Sequence, residues 1–424
     1  MNRRKTTRPS MANRMGSTLE TKVSMATATS ILALSALLCA MPVKADDVKW
    51  TPITDFRLRY ENVDQAGTAK KADALTTRLR AGLEVEKGDF TALVEGEGTW
   101  ALHENYNSTV NGNAAYPVIA DPENAEINRL QVQYSGIDKT TITAGRQRIN
   151  LGNQRFVGSV GWRQNEQTFD AIRVESTILG PVSADITYSW SDRTIFGRDS
   201  NIRSISGNSL FATLGTSIDP INLEAFAFLI DQDETGRRQF SSQTYGLCAS
   251  GKFDLAEDTN LIFATSYARQ SDWKNNPNSY DADYWLVDTT LTYKKLGLTA
   301  AYEILGADTG AASTSFQTPL ATLHKFQGWA DKFLTTPASG IRDLNVGASY
   351  ALGKVGILGP VKLLGAFHQF DSDLGSLDYG HEWDAQIVAK PRQDITIITK
   401  YADYTADTFS VDTKKLWIEI NYSL

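Results

Sequence analysis

The chain has 424 residues, a formal net charge of −7 and a mean hydropathy of −0.29. The acidic balance argues against nucleic acid as a partner. After residue 45, no stretch approaches the roughly 18–20 apolar residues that a transmembrane helix needs, which excludes a helical membrane protein in that part of the chain.

Residues 1–45 have the pattern of a secretory signal peptide. Basic residues precede an apolar run at 31–41. Val43 and Ala45 then supply the small residues of a cleavage site. We therefore predict cleavage after Ala45 and export from the cytoplasm.

Two cysteines bear on this prediction. Cys39 raises the alternative of a lipoprotein, but no small-residue run or second apolar anchor accompanies it. Cleavage leaves Cys248 alone, so no disulfide can form within the exported chain. We therefore expect its stability to come from a closed sheet.

Polar and apolar residues alternate along most of the remaining chain, and a period of two is typical of β-strands. Near the end, for example, Leu416, Ile418 and Ile420 alternate with Lys415 and Glu419. The pattern recurs in segments of about the length of tilted membrane strands. The 18 predicted strands are 51–62, 73–86, 89–100, 126–134, 138–148, 166–176, 182–192, 208–218, 220–230, 241–253, 258–270, 282–294, 297–306, 340–351, 360–370, 380–390, 393–405 and 413–424.

The links between these segments alternate in length. Links after even-numbered segments are short and those after odd-numbered segments are mostly long, which is typical of outer-membrane barrels. A soluble β-sandwich or a β-helix is the alternative. A sandwich is not expected to keep this asymmetry, and no repeat of roughly 20–50 residues is visible. The sequence predicts an all-β transmembrane antiparallel barrel of about 18 strands, formed by residues 46–424, in the outer membrane of a Gram-negative bacterium.

Arginines are concentrated on the polar faces of the early strands and in the stretch 145–171. Acidic residues share these faces, so one interpretation is a ladder of arginine–carboxylate pairs. The other is that some arginines stay unpaired and form an anion-selective constriction, because guanidinium can bind a carboxylate through two hydrogen bonds. The candidate arginines of a substrate path are Arg57, Arg59, Arg78, Arg80, Arg129, Arg146, Arg148, Arg155, Arg163 and Arg173.

The fifth strand is ambiguous. Arg146 and Arg148 share a side with Ala144, so their inward orientation requires a β-bulge near Gly145. The segment 149–165 that follows is predicted to be a loop outside the membrane, with its arginines at the mouth of a pore.

The longest loop, 307–339, has two interpretations. Thr318 and Pro319 fit the N-cap and first turn of a short helix, and Leu320, Leu323 and further apolar residues give it one apolar side. Such a loop either forms a cap outside the membrane or a constriction inside the pore. The sequence leaves both open.

Motifs for metals and catalysis are weak. Asp231 with Asp233, and Asp371 with Asp373, have part of a calcium-loop spacing without the final bidentate acid, so solvated loop acids are the simpler interpretation. No cofactor and no enzymatic activity are expected, since the chain has no nucleophile elbow, P-loop or dinucleotide motif. The histidines His103, His324, His368 and His381 lack metal-ligand spacing, although His368 and His381 could face each other across a hairpin.

Two stretches resemble the alginate export family of outer-membrane barrels. They are GRQRINLGNQRFVGSVGWRQNEQTFDA at 145–171 and FQTPLATLHKFQGWADKFL at 316–334. The resemblance covers essentially all of 46–424. It implies an 18-stranded barrel with an arginine-lined path for an anionic polysaccharide such as alginate.

We therefore expect a passive outer-membrane channel that prefers anions. It would export an acidic polysaccharide or take up its oligomers, with outer-membrane lipids and periplasmic export proteins as further partners. The alternative is a structural or adhesive barrel that its own loops plug.

Overall fold

The computed structural model describes residues 48–424 as a closed antiparallel barrel of 18 strands. The predicted signal peptide lies outside the described residues. The strands are β1 (Val48–Gln65), β2 (Ala72–Lys87), β3 (Phe90–Asn105), β4 (Asn124–Ile137), β5 (Thr140–Gln147), β6 (Thr168–Leu179), β7 (Val182–Arg193), β8 (Ser204–Ile218), β9 (Ile221–Ile230), β10 (Ser242–Ala256), β11 (Thr259–Asp272), β12 (Asp281–Tyr293), β13 (Leu296–Leu305), β14 (Ile341–Lys354), β15 (Pro360–Asp371), β16 (Asp378–Arg392), β17 (Ile395–Ala406) and β18 (Thr413–Ser423).

The sheet closes because β1 pairs with β18 as well as with β2. Strands β2 to β17 each pair with their two neighbours in chain order. In hydrocarbon, closure satisfies the backbone N–H and C=O groups that an open edge would leave unpaired. No helix within residues 48–424 is long and apolar enough to cross a membrane.

The predicted strand order and the predicted alternation of links are confirmed. Each predicted segment overlaps one strand, and β1 runs three residues further at either end than predicted. The outer face is apolar along β18, where Ile418 and Ile420 stay exposed. Trp190, Tyr293 and Tyr350 are also exposed on the outer face, where an aromatic girdle meets lipid headgroups.

Two long connections fold back into the lumen. The first lumenal loop is 148–167, between β5 and β6, and the second lumenal loop is 306–340, between β13 and β14. Val157 and Leu320, one from each loop, are buried and form a parallel β-bridge. The prediction that 149–165 stays outside the membrane is therefore wrong. An 18-stranded barrel is too wide for its strand side chains to fill, which leaves room for both loops.

The second lumenal loop does not form the predicted helix. Its only helical turn among the described residues is the three-residue 3₁₀ turn Leu323–Lys325. Gln327, Gly328 and Asp331 have φ angles of 49°, 75° and 58°, which no α-helix accommodates. A Cβ at Gly328 would also lie 2.5 Å from the Glu382 carboxyl carbon, so a larger residue would strain the backbone and displace the Glu382 side chain.

Aromatic packing holds the loops against the β9–β12 wall. Phe156 of the first loop lies 4.9 Å from Phe226 and 5.2 Å from Tyr284, measured between ring centroids. Phe316 of the second loop is fully buried and lies 5.4 Å from Tyr284. The two loops and this wall therefore share one hydrophobic core.

We expect Phe316→Ala to loosen the second lumenal loop without opening the barrel. Truncating a buried phenylalanine costs about 3–5 kcal/mol, and here that cost falls on loop docking because the strands keep their hydrogen bonds. Limited proteolysis should then cut within 306–340, while the folded barrel keeps its faster migration in unheated SDS gels. Trp190→Ala, on the outer face, is the control. Unchanged proteolysis of Phe316→Ala would contradict this account of the core.

Candidate functional site

Lumenal ion pairs line β1 to β4 and β18. Arg80 Nε donates to Glu97 at 2.5 Å, and Arg129 Nη2 donates to Glu95 at 2.6 Å. All ten candidate arginines have a carboxylate oxygen within 3.5 Å. The geometry is therefore that of the paired ladder, and none of these ten groups is left without a carboxylate.

Two of these arginines also hold the first lumenal loop. Arg57 Nη1 donates to the carbonyl oxygens of Gly161, Trp162 and Arg163 at 3.1, 2.8 and 3.2 Å. Arg59 Nη2 donates to the Trp162 carbonyl at 2.5 Å, and its guanidinium carbon lies 4.2 Å from the Trp162 ring centroid. These carbonyl groups lie in a loop and have no neighbouring strand to pair with. Buried hydrogen-bond acceptors nevertheless need hydrogen-bond donors. The arginines supply them.

Asp331 joins both loops to the barrel wall. Its carboxylate accepts hydrogen bonds from His324 Nδ1 at 2.8 Å, Arg163 Nη2 at 3.0 Å and Lys415 Nζ at 2.8 Å. Burial opposes ionisation, but Lys415 and the His324 ring outweigh it and hold the pKa of Asp331 well below its usual range. We call Asp331, His324, Arg163 and Lys415 the Asp331 hub.

His324 is the uncharged member of the hub. Burial and the neighbouring Lys400 ammonium lower the pKa of His324 well below its ordinary value. Lys400 Nζ lies 2.7 Å from His324 Nε2, so Nε2 accepts from Lys400 and Nδ1–H donates to Asp331. The imidazole also stacks on Trp162, with 4.2 Å between ring centroids, and so ties the second loop to the first.

The two lumenal loops, joined to the wall by the Asp331 hub, form the constriction of the lumen. One cavity lies on each side of it. The long-loop cavity, about 380 Å³, is lined by the connections at 118–120 and 194–205 and by the second lumenal loop. The short-turn cavity, about 610 Å³, reaches the β6–β7 turn at 180–181. Arg155 lines both cavities.

Arg155 is the group between the cavities, and it is firmly held. Its guanidinium donates to Glu303 at 2.6 Å, to Thr318 Oγ1 at 2.9 Å and to Gln327 Oε1 at 3.2 Å. The side chain is 1% exposed. A solute that passes from one cavity to the other therefore has to displace or skirt this ion pair.

The long-loop cavity has five cationic side chains and one acidic side chain, Asp331, among its lining residues, and three of the five cations form ion pairs with carboxylates. Within residues 48–424, Lys332 and Arg237 have no carboxylate oxygen within 4 Å. Lys332 Nζ instead donates to Thr413 Oγ1 at 2.9 Å, and Arg237 Nε donates to Gln232 Oε1 at 3.1 Å. Burial and the nearby Lys415 lower the pKa of Lys332 to about 8. The cationic lining residues are Arg155, Arg163, Arg237, Lys332 and Lys415.

Arg146 does not line the lumen. Its cross-strand neighbours are Asp170, with which it forms an ion pair at 2.8 Å, and Leu130, which is 55% exposed on the outer face. The pairing of β5 runs through Gly145 without a register shift, so the expected bulge is absent and the alternation keeps Arg146 outside. Arg148, past the end of β5, does turn inward to Glu95 and Glu166.

The weak calcium candidates have other contacts. Asp231 is paired with Lys274 at 2.8 Å and Asp373 with Arg342 at 3.0 Å, whereas Asp233 and Asp371 are exposed. In the described part of the chain, no group of three or more His, Cys, Asp or Glu residues is arranged to hold a metal ion.

The histidines of the β15–β16 hairpin do not face each other. His368 lies opposite Glu382, whereas His381 lies opposite Gln369. His368 Nδ1 is 2.9 Å from Asp343 instead.

The sequence missed the two cations without carboxylate partners. Lys332 lies within the stretch 316–334, but no polar–apolar alternation there indicates which way its side chain points. Arg237 lies in the β9–β10 connection. They meet at one cavity only because distant loops converge above the constriction.

Comparisons with known proteins agree with this architecture. The family model described as alginate export matches residues 54–424. OpdQ of Pseudomonas aeruginosa superposes with a TM-score of 0.67 at 13% identity, covering 90% of this chain and 99% of that one. OccAB2 of Acinetobacter baumannii gives 0.67 at 14%, with 88% and 98% covered. OpdL of Pseudomonas aeruginosa gives 0.64 at 14%, with 89% and 99% covered.

At such identities the likeness to solved structures concerns the fold. No curated protein matches this chain.

We expect Asp331→Asn to destabilise the docking of both loops. Removing one member of a buried charge cluster leaves the others uncompensated, at a cost of about 3–5 kcal/mol. Single-channel recordings should show added current noise or new open levels, and proteolysis within 306–340 should accelerate. Asp233→Asn, an exposed loop acid without an ion pair, is the control. Quiet, unchanged currents from Asp331→Asn would show that the hub does not hold the loops.

Proposed function

The chain belongs to the alginate export family of outer-membrane channels, and we propose that it passively conducts anionic saccharides, either a polyuronate or its oligomers. The observation that carries the proposal is the charge of the long-loop cavity. Five cationic side chains and one carboxylate line it, and two of those cations, Lys332 and Arg237, have no carboxylate oxygen within 4 Å in the described residues. In the outer membrane, the long loops and this cavity face the cell exterior.

A lumen of this kind favours anions through its local potential. Charges of one sign inside a low-dielectric wall raise the local concentration of the opposite ion. Lys332 and Arg237 can bind a sugar carboxylate without first releasing another carboxylate. Weak binding at several such points lets the substrate enter and leave again.

The paired arginines would bind an anion while keeping their present carboxylate partners. Three of them keep partly exposed side chains on the lumenal face: Arg148 at 31%, Arg173 at 18% and Arg129 at 15%. A guanidinium has five N–H donors, so an incoming carboxylate can add to the existing pair. Arg146 is not part of the proposed path, because it lies on the outer face.

A plugged structural or adhesive barrel is the second candidate. The filling of the lumen by both loops and the buried Arg155–Glu303 pair favour it. The two candidates differ in conductance, because a plugged barrel carries little current. We propose transport without catalysis for the first candidate, since attraction and release by lumenal charges require no bond to be made or broken.

Planar-bilayer recordings test the proposal directly. We expect the wild-type channel to prefer chloride over potassium and to be blocked by oligouronates added on the long-loop side. Lys332→Gln with Arg237→Gln should lower the permeability ratio by about two- to fivefold, because the two charges together stabilise an anion in the cavity by roughly 0.5–1 kcal/mol. Lys414→Gln, an exposed lysine of β18 paired with Asp403 outside the lumen, is the matched control. An unaltered ratio in the double variant would refute the proposed role of the cavity.

The same cavity predicts a pH dependence. Since the pKa of Lys332 is about 8, its ammonium is charged below that pH and lost above it. Anion preference should therefore fall between pH 7 and about pH 9. Lys332→Arg should abolish this fall because guanidinium stays charged. Lys332→Gln should also abolish it, because the group that titrates is gone, and the anion preference should stay at the lower value at every pH. A fall that persists in both variants would assign the titration to another group.

A further inference from the structure

The short-turn cavity has a wall with an acidic residue at its centre. Glu224 of β9 lies directly opposite Cys248 of β10, which in turn lies opposite Ser266 of β11. All three line the cavity. The tip of the first lumenal loop, 151–156, forms the other side. A Cβ at Gly152 would lie 3.8 Å from Glu224 Oε1, so the loop tip approaches the carboxylate closely.

Glu224 differs from most lumenal acids in having no partner. Over residues 48–424, no hydrogen-bond donor reaches its carboxylate and no cationic group lies within 4 Å of it. The other charged side chain that lines the cavity is Arg155, whose guanidinium is bound to Glu303 at 2.6 Å. Glu224 therefore gives this cavity an uncompensated negative charge, the opposite of the long-loop cavity.

The remaining lining combines hydroxyl and amide side chains with an apolar surface near the loop tip. Phe156 is partly exposed at the loop tip, above Phe226 and Tyr284, and Leu151 and Leu286 extend this surface. Aromatic faces attract cations electrostatically, and apolar faces bind the body of an organic ligand. A volume of about 610 Å³ is in the range of sites for small organic molecules.

We propose that the short-turn cavity binds a small organic ammonium ion, with its cationic head at Glu224 and its apolar body against Phe156. The Ser266 hydroxyl and the Asn222 side-chain carbonyl line the same cavity and can accept hydrogen bonds from the ammonium head. The site is independent of the proposed anion path, because it rests on the opposite charge and on the other side of Arg155. It opens toward the periplasm, so its ligand reaches it from within the cell envelope.

Cys248 offers a probe that does not depend on ion conduction. With Cys39 removed, as part of the leader or by Cys39→Ala, Cys248 is the single thiol of the chain. Two methanethiosulfonates of similar size but opposite charge, the trimethylammonioethyl and the sulfonatoethyl reagents, modify such a thiol. Their rates in detergent, each normalised to the rate with free 2-mercaptoethanol, report the potential beside Glu224.

We expect the cationic reagent to modify Cys248 at least about fivefold faster than the anionic one, since one unit charge at contact distance is worth about 1 kcal/mol or more. Glu224→Gln should bring the ratio near one. Glu84→Gln removes an equivalent charge from the lumenal face of β2, on the opposite wall, and should leave the ratio unchanged. Glu224 has no partner to lose, so its replacement should not disturb the barrel, and gel mobility checks this.

Protection of Cys248 identifies the ligand class. Phenethylammonium should slow modification by the uncharged methyl methanethiosulfonate in the wild type, and about tenfold more of it should be needed in Glu224→Gln. Equal protection by 2-phenylethanol would show that the cavity binds through apolar contacts alone and would overturn the proposal. Protection by glucose but not by phenethylammonium would instead identify a neutral saccharide site and overturn it as well.

Discussion

Backbone hydrogen bonding in a solvent that offers none is the constraint on which this structure depends. A sheet in hydrocarbon must close, and the pairing of β1 with β18 closes it at 18 strands. A barrel of that size has a lumen that its own strand side chains cannot fill. Two connections occupy the space, and their backbone groups then need partners inside the barrel. Arg57 and Arg59 provide donors for three consecutive carbonyls of the first loop.

The lumenal arginines therefore have a structural role before any role in transport. Each guanidinium is held between a wall carboxylate and a loop or a neighbouring strand, so the ladder that resembles a substrate path also fixes the constriction. Because each of these arginines is paired with a carboxylate, the ladder attracts anions less strongly than unpaired arginines would. Charged groups without an oppositely charged partner within 4 Å lie instead at the two cavities. They are Lys332 and Arg237, in loops, at one cavity and Glu224, on β9, at the other.

The two cavities give the lumen opposite characters along its axis, and Arg155 lies where they meet. The upper cavity combines cations with polar loop residues. The lower one combines a carboxylate with the aromatic wall of β9 to β12. A barrel with a single uniform charge would attract one class of solute throughout, whereas the proposed anion path and the proposed ammonium site would take solutes of opposite charge at the two ends of the lumen.

The sequence by itself determined the strands, their order and the side of the membrane on which each link lies. Period-two alternation is a local property of each segment, and a shift of one residue would move the apolar side chains of a strand to its other face. It also located the two stretches that enter the lumen, although not their inward path. Tertiary structure alone decided that Arg146 faces outward, since this depends on unbroken pairing with β4 and β6. It likewise replaced the expected helix of the second loop by an extended path, because Asp331, Gly328 and their partners on β16 and β18 hold backbone angles that no local propensity favours. The partnerless charges at the cavities follow from distances between remote loops, which a linear pattern does not contain.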